Sequence, residues 1–331
     1  MKILFIGGTG TISSACSQLA AQRGIELYLL NRDESVRNAP EAAQVLNADI
    51  RDRESVKAIL GKDHFDVVVD WIAFTPEHIE TDLELFRGRT DQFIFISSAS
   101  VYQTPPARLP VTESTPLYNP FWQYSRDKIA CEERLMRAYR EENFPVTIVR
   151  PSHTYDRASL PLAGRYTAID RMRKGKKVIV HGDGTSLWTL TNHRDFAKGF
   201  IGLLGNSHAI GEAFHITSDE ILTWNQIYEI VAHAAGTKAD ILHIPSDVIA
   251  AYDKDWGDGL LGDKSHSMIF DNAKIKKIVP DFAATIPFSR GVEEIIAWHD
   301  ADPTRQVVDE RLDKLMDKII SEQVNKTTVN A

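Results

Sequence analysis

The sequence has few of the features that mark a membrane, secreted or nucleic-acid-binding protein. Only two of its 331 residues are cysteine, which is too few for a disulfide framework or a cysteine metal site. No apolar run approaches the ~18 residues of a membrane span, and Met1–Ile6 is too short for a signal peptide. The formal net charge is −8, the opposite of a nucleic-acid binder's basic excess. We expect a cytoplasmic protein without a membrane partner, for which a nucleic-acid partner is disfavoured.

A metal site is also not expected. The histidines His181, His193 and His215 are scattered and lack the spacing of metal ligands. Asp195, which stands close to one of them, is better explained as a cap of the helix that follows it. The sequence therefore predicts that no metal ion takes part.

The first 150 residues alternate strand-like and helix-like segments. Short apolar runs, most of them rich in β-branched residues, predict buried strands at Ile3–Ile6, Ile25–Leu30, Val67–Val69, Phe93–Ile96 and Val146–Val149. Thr75-Pro76 and Asn119-Pro120 each open a helix, with a capping side chain followed by proline in the first turn. Repeated βα units predict an α/β fold in which residues 1–150 form a Rossmann-type, doubly wound parallel sheet.

After Arg150-Pro151 this alternation breaks. Charged helices and loops mix with strand-like runs at 178–180, 213–216 and 241–244. We expect residues 151–301 to be mostly a smaller, mixed α/β C-terminal lobe, with segments near 185–218 returning to the first domain. Residues 302–331 are expected to be a C-terminal helix and tail, since apolar residues recur there at helical spacing, from Val308 to Ile319.

A glycine-rich turn, residues 7–13, directly follows the first strand. Gly7 permits a tight turn and Gly10 a close approach of the backbone, so a dinucleotide pyrophosphate can lie at the next helix N-terminus. We assign five residues to this cofactor: Gly7, Thr9, Gly10, Thr11 and Ile12. The third small position is Ser13, where glycine is usual. In isolation such a turn is a plain βα connection about half the time.

The end of the second strand bears on the choice between NAD and NADP. It reads Asn31-Arg32-Asp33, and an acid near this position binds the ribose diol in many NAD enzymes. Asn31 is uncharged and Arg32 can pair with a 2′-phosphate, which favours NADP over NAD. The alternative is that Arg32 is a solvated cation and Asp33 serves NAD. Asp49 and Ile50 are expected to flank the adenine, unless Asp49 is an ordinary strand-end residue.

Tyr124 and Lys128 are four residues apart and share one face of a predicted helix. A phenol with its usual pKa near ~10 is a poor base at neutral pH. A nearby ammonium and the nicotinamide cation would favour the phenolate, which exchanges a proton with an alcohol while hydride moves. Ser98 follows the strand Phe93–Ile96, where it can donate to the substrate oxygen. Alone, each motif is common and often has no role.

Taken in order, the motifs resemble the extended short-chain dehydrogenase/reductase superfamily, often called the NAD-dependent epimerase/dehydratase family. The matches, which cover about residues 1–300, are Gly7-x-x-Gly10, Asp49–Asp52, Asp66–Asp70, Ile96–Tyr102, Tyr124-x-x-x-Lys128, Val149–Pro151, Gly182–Thr185, Asp195–Ala197 and Trp298. Asn31-Arg32, Leu261–Lys264 and Phe270–Lys274 are similar to a divergent branch that includes chloroplast stem-loop-binding proteins.

The resemblance implies an NAD(P)-dependent enzyme that oxidises, reduces or epimerises a hydroxyl or ketone of a sugar or sugar-derived substrate. It implies a catalytic triad of Ser98, Tyr124 and Lys128, of which Tyr124 and Lys128 also contact the cofactor. Further contacts with the cofactor are implied for Ile72, Ala73, Pro151 and His153, and with the substrate for Phe74, Ser100, His153 and Trp188. It also implies a homodimer formed through the helices near 76–87 and 120–140.

Three departures from the family pattern concern the substrate. Ala99-Ser100 stands where sugar dehydratases carry an acidic pair, which disfavours dehydration. His153 replaces a common asparagine. Trp188 stands where an arginine often binds the nucleotide diphosphate, and a neutral indole cannot neutralise a diphosphate. A smaller polyol or sugar acid is therefore favoured over a nucleotide sugar.

The same branch raises a second hypothesis, a nucleotide-bound RNA-binding or regulatory protein on the same fold. Residues 171–177 carry five cations in seven positions, which suits contact with RNA. The simpler interpretation is a helix C-terminus, where cations suit the helix dipole and Gly175 ends the helix. The negative net charge favours the simpler interpretation. Residues 256–259 form either a lid over the site or an ordered surface loop.

Overall fold

The computed structural model describes residues 1–32 and 38–329. The strands, in chain order, are β1 Lys2–Ile6, β2 Glu26–Asn31, β3 Gln44–Asn47, β4 Phe65–Asp70, β5 Thr90–Ile96, β6 Val146–Pro151, β7 His153–Tyr155, β8 Lys177–His181, β9 Leu187–Trp188, β10 Leu190–Asn192, β11 Ala213–Ile216, β12 Leu222–Thr223 and β13 Asp240–Ile244. The helices are α1 Ser13–Gln22, α2 Arg53–Leu60, α3 Pro76–Phe86, α4 Gln123–Glu142, α5 Tyr166–Arg173, α6 His193–Ile201, α7 Trp224–Ala234, α8 Ser246–Tyr252, α9 Lys254–Gly259, α10 Ala273–Ile278, α11 Phe288–Asp300 and α12 Glu310–Val329.

Seven strands form the central sheet, in the order β11-β6-β5-β4-β1-β2-β3. Each neighbouring pair is parallel. The order reverses between β1 and β4, and the carboxyl ends of these strands are where an open α/β sheet places its ligand. The glycine-rich turn follows β1, and the Ser98 turn follows β5.

Helices cover both faces of this sheet. On one face, α1 and α6 bury Cys16 and Phe200 against β1. On the other face, α3 and α4 bury Leu83 and Leu135 in a second core. The strand residues between these layers are buried on both sides, which explains why their sequence is apolar without alternation.

The rest of the chain forms a smaller mixed α/β lobe. It has its own core around Trp188 and Val231, and its strands β8 and β13 pair in parallel. The C-terminal helix α12 packs on this lobe, where its Met316 and Ile319 meet Ile179 in one apolar cluster.

The predicted fold class is confirmed: a Rossmann-type parallel sheet with a smaller C-terminal lobe. All eight apolar runs read as strands are strands. The edge strand β3 was missed because most of its side chains are exposed and its first and last residues are polar. Among the described residues, no helix has both the length and the apolar character that crossing a bilayer requires.

Candidate active site

The glycine-rich turn between β1 and α1 is closed by Ser13. Its hydroxyl donates to the Gly7 carbonyl and accepts from the Gly10 N–H, both at 2.7 Å. Gly7 has φ +85°, and a Cβ there would lie 2.5 Å from Ile72 Cγ2, so only glycine fits. Serine at the third small position is therefore part of this turn, because its side chain links the first glycine to the last.

The turn leaves donors where a pyrophosphate would bind. Within the described part of the chain, no acceptor takes the backbone N–H of Thr11 or Ile12. These groups lie at the N-terminus of α1, where unpaired N–H groups and the helix dipole favour an anion. The turn therefore fits the diphosphate of NAD or NADP.

The adenosine end differs from the sequence-based prediction in detail. The Asn31 side-chain oxygen accepts from Gly8 N at 3.1 Å, so Asn31 fixes the glycine-rich turn. Arg32 is 59% exposed in its side chain and donates to Asp49 at 3.4 Å. Ile50 is buried beneath this end. Asp33, the alternative ribose ligand, lies outside the described residues.

Ser98, Tyr124 and Lys128 are brought together at the carboxyl end of β5. The Tyr124 hydroxyl lies close enough to Ser98 for this side chain to lower the pKa of Tyr124. Ser98 Oγ lies 2.9 Å from Ser100 Oγ, which also accepts from Ser125 at 2.8 Å. The three residues of the predicted triad therefore share one corner of the molecule, and Ser100 supports Ser98.

Lys128 is buried, and its ammonium is held by backbone. It donates to the carbonyls of Ala73 at 2.6 Å and Ile96 at 2.8 Å. Its nitrogen also lies 4.7 Å from the Phe74 ring centroid and 5.9 Å from that of Tyr124. Burial lowers the pKa of Lys128 to about 8, although the charge of Asp70 opposes this shift.

The protonation of Tyr124 differs from the sequence-based expectation. Burial raises its pKa, and the Ser98 side chain opposes that shift only in part. The Lys128 ammonium is directed at two carbonyls instead of the phenol, so it does not produce the expected phenolate in the cofactor-free protein. Tyr124 is a neutral phenol at neutral pH, the form that donates a proton to a carbonyl oxygen.

A cavity of about 600 Å³ joins the glycine-rich turn to the second lobe. Its cofactor side includes six of the predicted cofactor residues: Gly7, Gly10, Thr11, Ile12, Ile72 and His153. Its far side is largely aromatic and aliphatic, with Trp224, Trp256 and Tyr228. The triad lies beside this wall: Trp122 lines the cavity, and its ring packs 4.8 Å from the Tyr124 ring.

His153 and Trp188, both predicted to contact substrate, are in different positions relative to the cavity. His153 lines it, whereas Trp188 is only 1% exposed and lies behind His153, donating from Nε1 to His153 Nδ1 at 3.2 Å. Burial lowers the pKa of His153 to about 3. Because Nδ1 accepts, the neutral ring carries its proton on Nε2, which remains a hydrogen-bond donor.

The remaining predicted residues lie in three places: near the triad, in the glycine-rich turn and at the end of β6. Ala73 is buried and bonded to Lys128, and Phe74 is 43% exposed, with its ring 6.3 Å from that of Tyr124. Thr9 lies in the glycine-rich turn. Pro151 is buried at the end of β6, beside Ile216 of β11, and is not on the cavity wall.

A π-helical turn, Leu260–Lys264, was missed by sequence reasoning as part of the site. Three side chains from separate segments donate to the Lys264 carbonyl: His181 at 2.9 Å, Trp224 at 3.2 Å and Ser186 at 3.3 Å. Asn119 donates to the Gly262 carbonyl at 2.6 Å. The turn is thereby held against the start of α4, which carries Tyr124.

This turn brings two charged side chains to the site. Asp263 lies close enough for its charge to raise the pKa of Tyr124, and burial raises the pKa of Asp263 itself. Lys264 lines the cavity, with its ammonium 3.3 Å from Asp263 and 5.5 Å from the Trp122 ring centroid. A carboxyl group is therefore present beside Tyr124, although none follows Ser98 in the sequence.

The five cations of residues 171–177 are all paired with carboxylates. Arg171 is 1% exposed in its side chain and bonds to Asp313 and Asp317 of α12. The other pairs are Arg173–Asp300, Lys174–Asp170, Lys176 with Asp313 and Asp317, and Lys177–Asp240. This segment thus holds the second lobe together, which removes the main structural argument for RNA contact.

Comparison with known proteins agrees with this geometry. The chain is 23% identical over 302 residues to 2′-dehydrokanamycin reductase of Streptomyces kanamyceticus, covering 90% of this chain and 84% of that protein. It is 28% identical over 265 residues to a chloroplast stem-loop binding protein of Arabidopsis thaliana, covering 73% of this chain and 65% of the relative.

A solved epimerase from Methanothermobacter thermautotrophicus has the same fold, with a TM-score of 0.75 at 18% identity over 92% of this chain and 93% of that one. The family model of the NAD dependent epimerase/dehydratase family matches residues 3–217. The family predicted from the motifs is thereby confirmed. This chain belongs to the NAD dependent epimerase/dehydratase family, within the extended short-chain dehydrogenase/reductase superfamily.

Proposed function

We propose that this chain is an NAD(P)-dependent oxidoreductase or epimerase that acts on a hydroxyl or ketone of a sugar or sugar-derived substrate. The observation that carries the proposal is the meeting of Ser98, Tyr124 and Lys128 beside the glycine-rich turn. Membership of the family supports it. Similarity to the Streptomyces 2′-dehydrokanamycin reductase also supports it.

Each side chain has a distinct role in this proposal. NAD(P), when bound, supplies or accepts the hydride. Tyr124, a half-buried neutral phenol, donates its proton to the carbonyl oxygen during reduction. Ser98 donates a hydrogen bond that orients this oxygen. Lys128 holds a positive charge beside the developing phenolate, from a position fixed by the carbonyls of Ala73 and Ile96.

The substrate half of the cavity suits a compact polyhydroxylated ring. Trp224 and Trp256 offer flat apolar faces to its C–H groups. Lys264 lines the cavity and provides a donor for its hydroxyl groups, and Asp263 lies 3.3 Å from the Lys264 ammonium. Trp188, which stands where the family often has an arginine that binds a diphosphate, is uncharged and buried behind His153. We therefore favour a substrate without a nucleotide.

Release and retention of the ketone intermediate separate two reactions on the same site. A ketone that leaves makes the enzyme a reductase or dehydrogenase, and one that turns over in place makes it an epimerase. The sequence argument against dehydration considered only the turn after Ser98. Asp263 supplies an acid from the second lobe, so dehydration stays among the activities to be assayed.

NADP is the cofactor we favour. Arg32 is exposed at the end of β2, and among the described residues both Arg32 and Arg51 pair with the carboxylate of Asp49. Calorimetry with NADP and NAD on wild type and Arg32→Ala tests this. We expect NADP affinity to fall about tenfold and NAD affinity to stay within twofold. An unchanged NADP affinity would refute the preference.

The homodimer implied by the resemblance would place α3 and α4 at the interface. The outward residues of α3 are charged, among them Glu77, Glu80 and Glu84. Arg134 of α4 bonds to Glu80 at 3.1 Å. Since this face is charged, we expect a dimer formed through it to weaken in 1 M salt, where the Debye length is about 3 Å. Sedimentation velocity at low and high salt checks this.

The decisive variant is Tyr124→Phe, with Tyr118→Phe as a matched control because Tyr118 is 58% exposed. The assay follows NADPH and NADH oxidation with a panel of keto sugars and dehydro cyclitols. Wild type and Tyr118→Phe should turn over the same substrates. Tyr124→Phe should lose at least about a hundredfold in kcat, while binding the cofactor normally. Equal turnover by Tyr124→Phe would refute the mechanism.

A further inference from the structure

Two aspartates outside the triad are buried together behind the cofactor turn. Asp70 ends β4, Asp82 lies in α3, and each is only 1% exposed. Both residues line one small cavity, and each lies close enough to the other to shift its pKa. Neither oxygen of Asp82 has a hydrogen-bond partner among the described residues. Buried polar groups are nearly always paired, so this arrangement calls for an explanation.

Two neighbouring carboxyl groups that are both buried favour a proton on one of them, because two like charges repel strongly away from water. Asp70 is suited to carry the charge, because its Oδ1 accepts from the N–H groups of Ile72 at 2.5 Å and Ala73 at 2.8 Å. Asp82 has no such donors, and burial beside a negative neighbour raises its pKa well above its usual range. The proton therefore resides on Asp82, and the pair carries one negative charge.

This single charge is connected to the triad. Asp70 fixes the Ile72–Ala73 turn through two backbone N–H groups, and the Ala73 carbonyl in the same turn accepts from Lys128 Nζ at 2.6 Å. Ile72 also fills the space over Gly7. One carboxylate thus sets the position of a cofactor turn and of a buried ammonium.

We propose that Asp82 is a positioning residue of the active site: by sharing a proton with Asp70, it holds one negative charge behind the Ile72–Ala73 turn and keeps the Lys128 ammonium charged and in place.

The charged and titratable groups around the pair are consistent with this role. Lys128 of α4 acts on Asp70, and Arg51, after β3, acts on Asp82. His78 of α3 is influenced by Asp70, and burial lowers its pKa. Cys131 of α4 is influenced by Asp82, and burial raises its pKa to about 12, so it is uncharged. Lys128 is the cation for which the charge of Asp70 matters most, because it is fully buried.

Three variants separate this role from simple space filling. Asp82→Asn keeps the shape and still donates to Asp70. Asp82→Leu keeps much of the volume but removes the donor. Asp70→Asn keeps an acceptor for the turn but removes the charge. Glu77→Gln, on the exposed side of α3, is the control. The main readout is the pKa of Lys128, followed by NMR of protein labelled at the lysine ε carbons, with Lys128→Arg to assign the signal.

We expect Lys128 to titrate near 8 in wild type, Glu77→Gln and Asp82→Asn. In Asp70→Asn and Asp82→Leu its pKa should be clearly lower. Equal Lys128 titration in all five proteins would overturn the proposal. A Lys128 pKa that stays normal in Asp82→Asn but falls in Asp82→Leu would not result from a merely structural role of Asp82. This readout needs no cofactor, so it stands apart from the Tyr124→Phe assay: either proposal can fail alone.

A second readout tests the shared proton itself. The folded-state pKa of Asp82 is raised above its unfolded value near ~3.9. Stability that depends on this proton is complete below about pH 4 and is lost as pH rises towards the folded-state pKa. The Tm of Asp82→Asn minus that of wild type should therefore grow between pH 5 and pH 8. A difference that is constant or falls with pH would show that Asp82 is already ionised, which would overturn the proposal.

Discussion

The two halves of the site are built in different ways. The cofactor half comes from short contiguous turns after β1 and β4, in which backbone groups and glycines form the contacts. The substrate half is assembled from side chains of segments far apart in the chain, which converge on the turn Leu260–Lys264. We therefore propose that the first half is general for a dinucleotide and that the second sets the substrate specificity of this chain.

Paired glycine substitutions should break the two halves separately, with the largest effects. A Cβ at Gly7 would lie 2.5 Å from Ile72, and one at Gly262 would lie 2.6 Å from Trp122. Gly7→Ala should reduce cofactor affinity at least about tenfold, since the turn is also at positive φ. Gly262→Ala should leave cofactor affinity within about threefold and lower kcat/KM about tenfold or more, because the turn would move away from Tyr124.

Gly24→Ala is the matched control for this pair. Gly24 has φ +71° but no atom within 4 Å of the added Cβ. It should cost about 1 kcal/mol of stability and change neither cofactor binding nor turnover. Calorimetry with NADPH and steady-state kinetics supply the measurements. Loss of cofactor binding in Gly262→Ala would show that the two halves are not separable.

Changes at the charged pair of the substrate half should sharpen the comparison. Lys264→Met removes a donor from the cavity but keeps most of the volume, and Asp263→Asn removes the carboxylate beside Tyr124. We expect kcat/KM for the substrate identified in the panel to fall about tenfold, with NADPH affinity unchanged. Equal kcat/KM in wild type and both variants would remove Asp263 and Lys264 from the substrate site.

The paired cations at residues 171–177 should affect stability and not nucleic-acid binding. Arg171→Met leaves Asp313 and Asp317 without their buried partner, and we expect a loss of about 2 kcal/mol. Lys174→Met removes an exposed i,i+4 pair and should cost less than about 0.5 kcal/mol. Thermal unfolding gives both values.

Gel-shift titration with single-stranded RNA at 50 and 200 mM salt should show no salt-sensitive binding at micromolar protein. Salt-sensitive binding would support the second hypothesis, an RNA-binding protein.

The smallest expected effect concerns pH. Because burial lowers the pKa of His153 to about 3, this residue is neutral from pH 5 to 8 and adds no step to the rate there. The kcat/KM profiles of wild type and His153→Gln should therefore have the same shape over this pH range. A step near pH 6.5 present only in wild type would contradict this account.

The sequence predicted the parts of the molecule that depend on local patterns. Buried parallel strands are apolar without alternation, so β1, β4 and β5 were recognisable, and the glycine-rich turn and the Tyr124–Lys128 spacing followed. The roles of Asn31 and Ser13 were not predictable, because their bonds to the turn depend on side-chain direction. Neither was the neutral state of Tyr124, since desolvation is a property of the folded environment.

The substrate half was largely beyond sequence reasoning for a related reason. Asp263 and Lys264 are over a hundred residues from Tyr124, and only folding places them together. The sequence did show a likeness of Leu261–Lys264 to a family branch. That likeness did not indicate where these residues lie in the fold. For residues 171–177 the sequence predicted a helix C-terminus, where cations are common. The carboxylate partners of Arg171 in α12 became visible only in the folded structure.

We propose that Tyr124, Ser98 and Lys128 surround one nicotinamide ring. A crystal structure of the protein with NADPH bound tests it most directly. We predict that the Tyr124 hydroxyl lies within about 4 Å of the nicotinamide ring or its ribose, which is close enough to reach a bound carbonyl. We also predict that Lys128 Nζ donates to the ribose hydroxyl groups. A nicotinamide that lies away from Tyr124, or a phenol turned to solvent in the complex, would contradict the account.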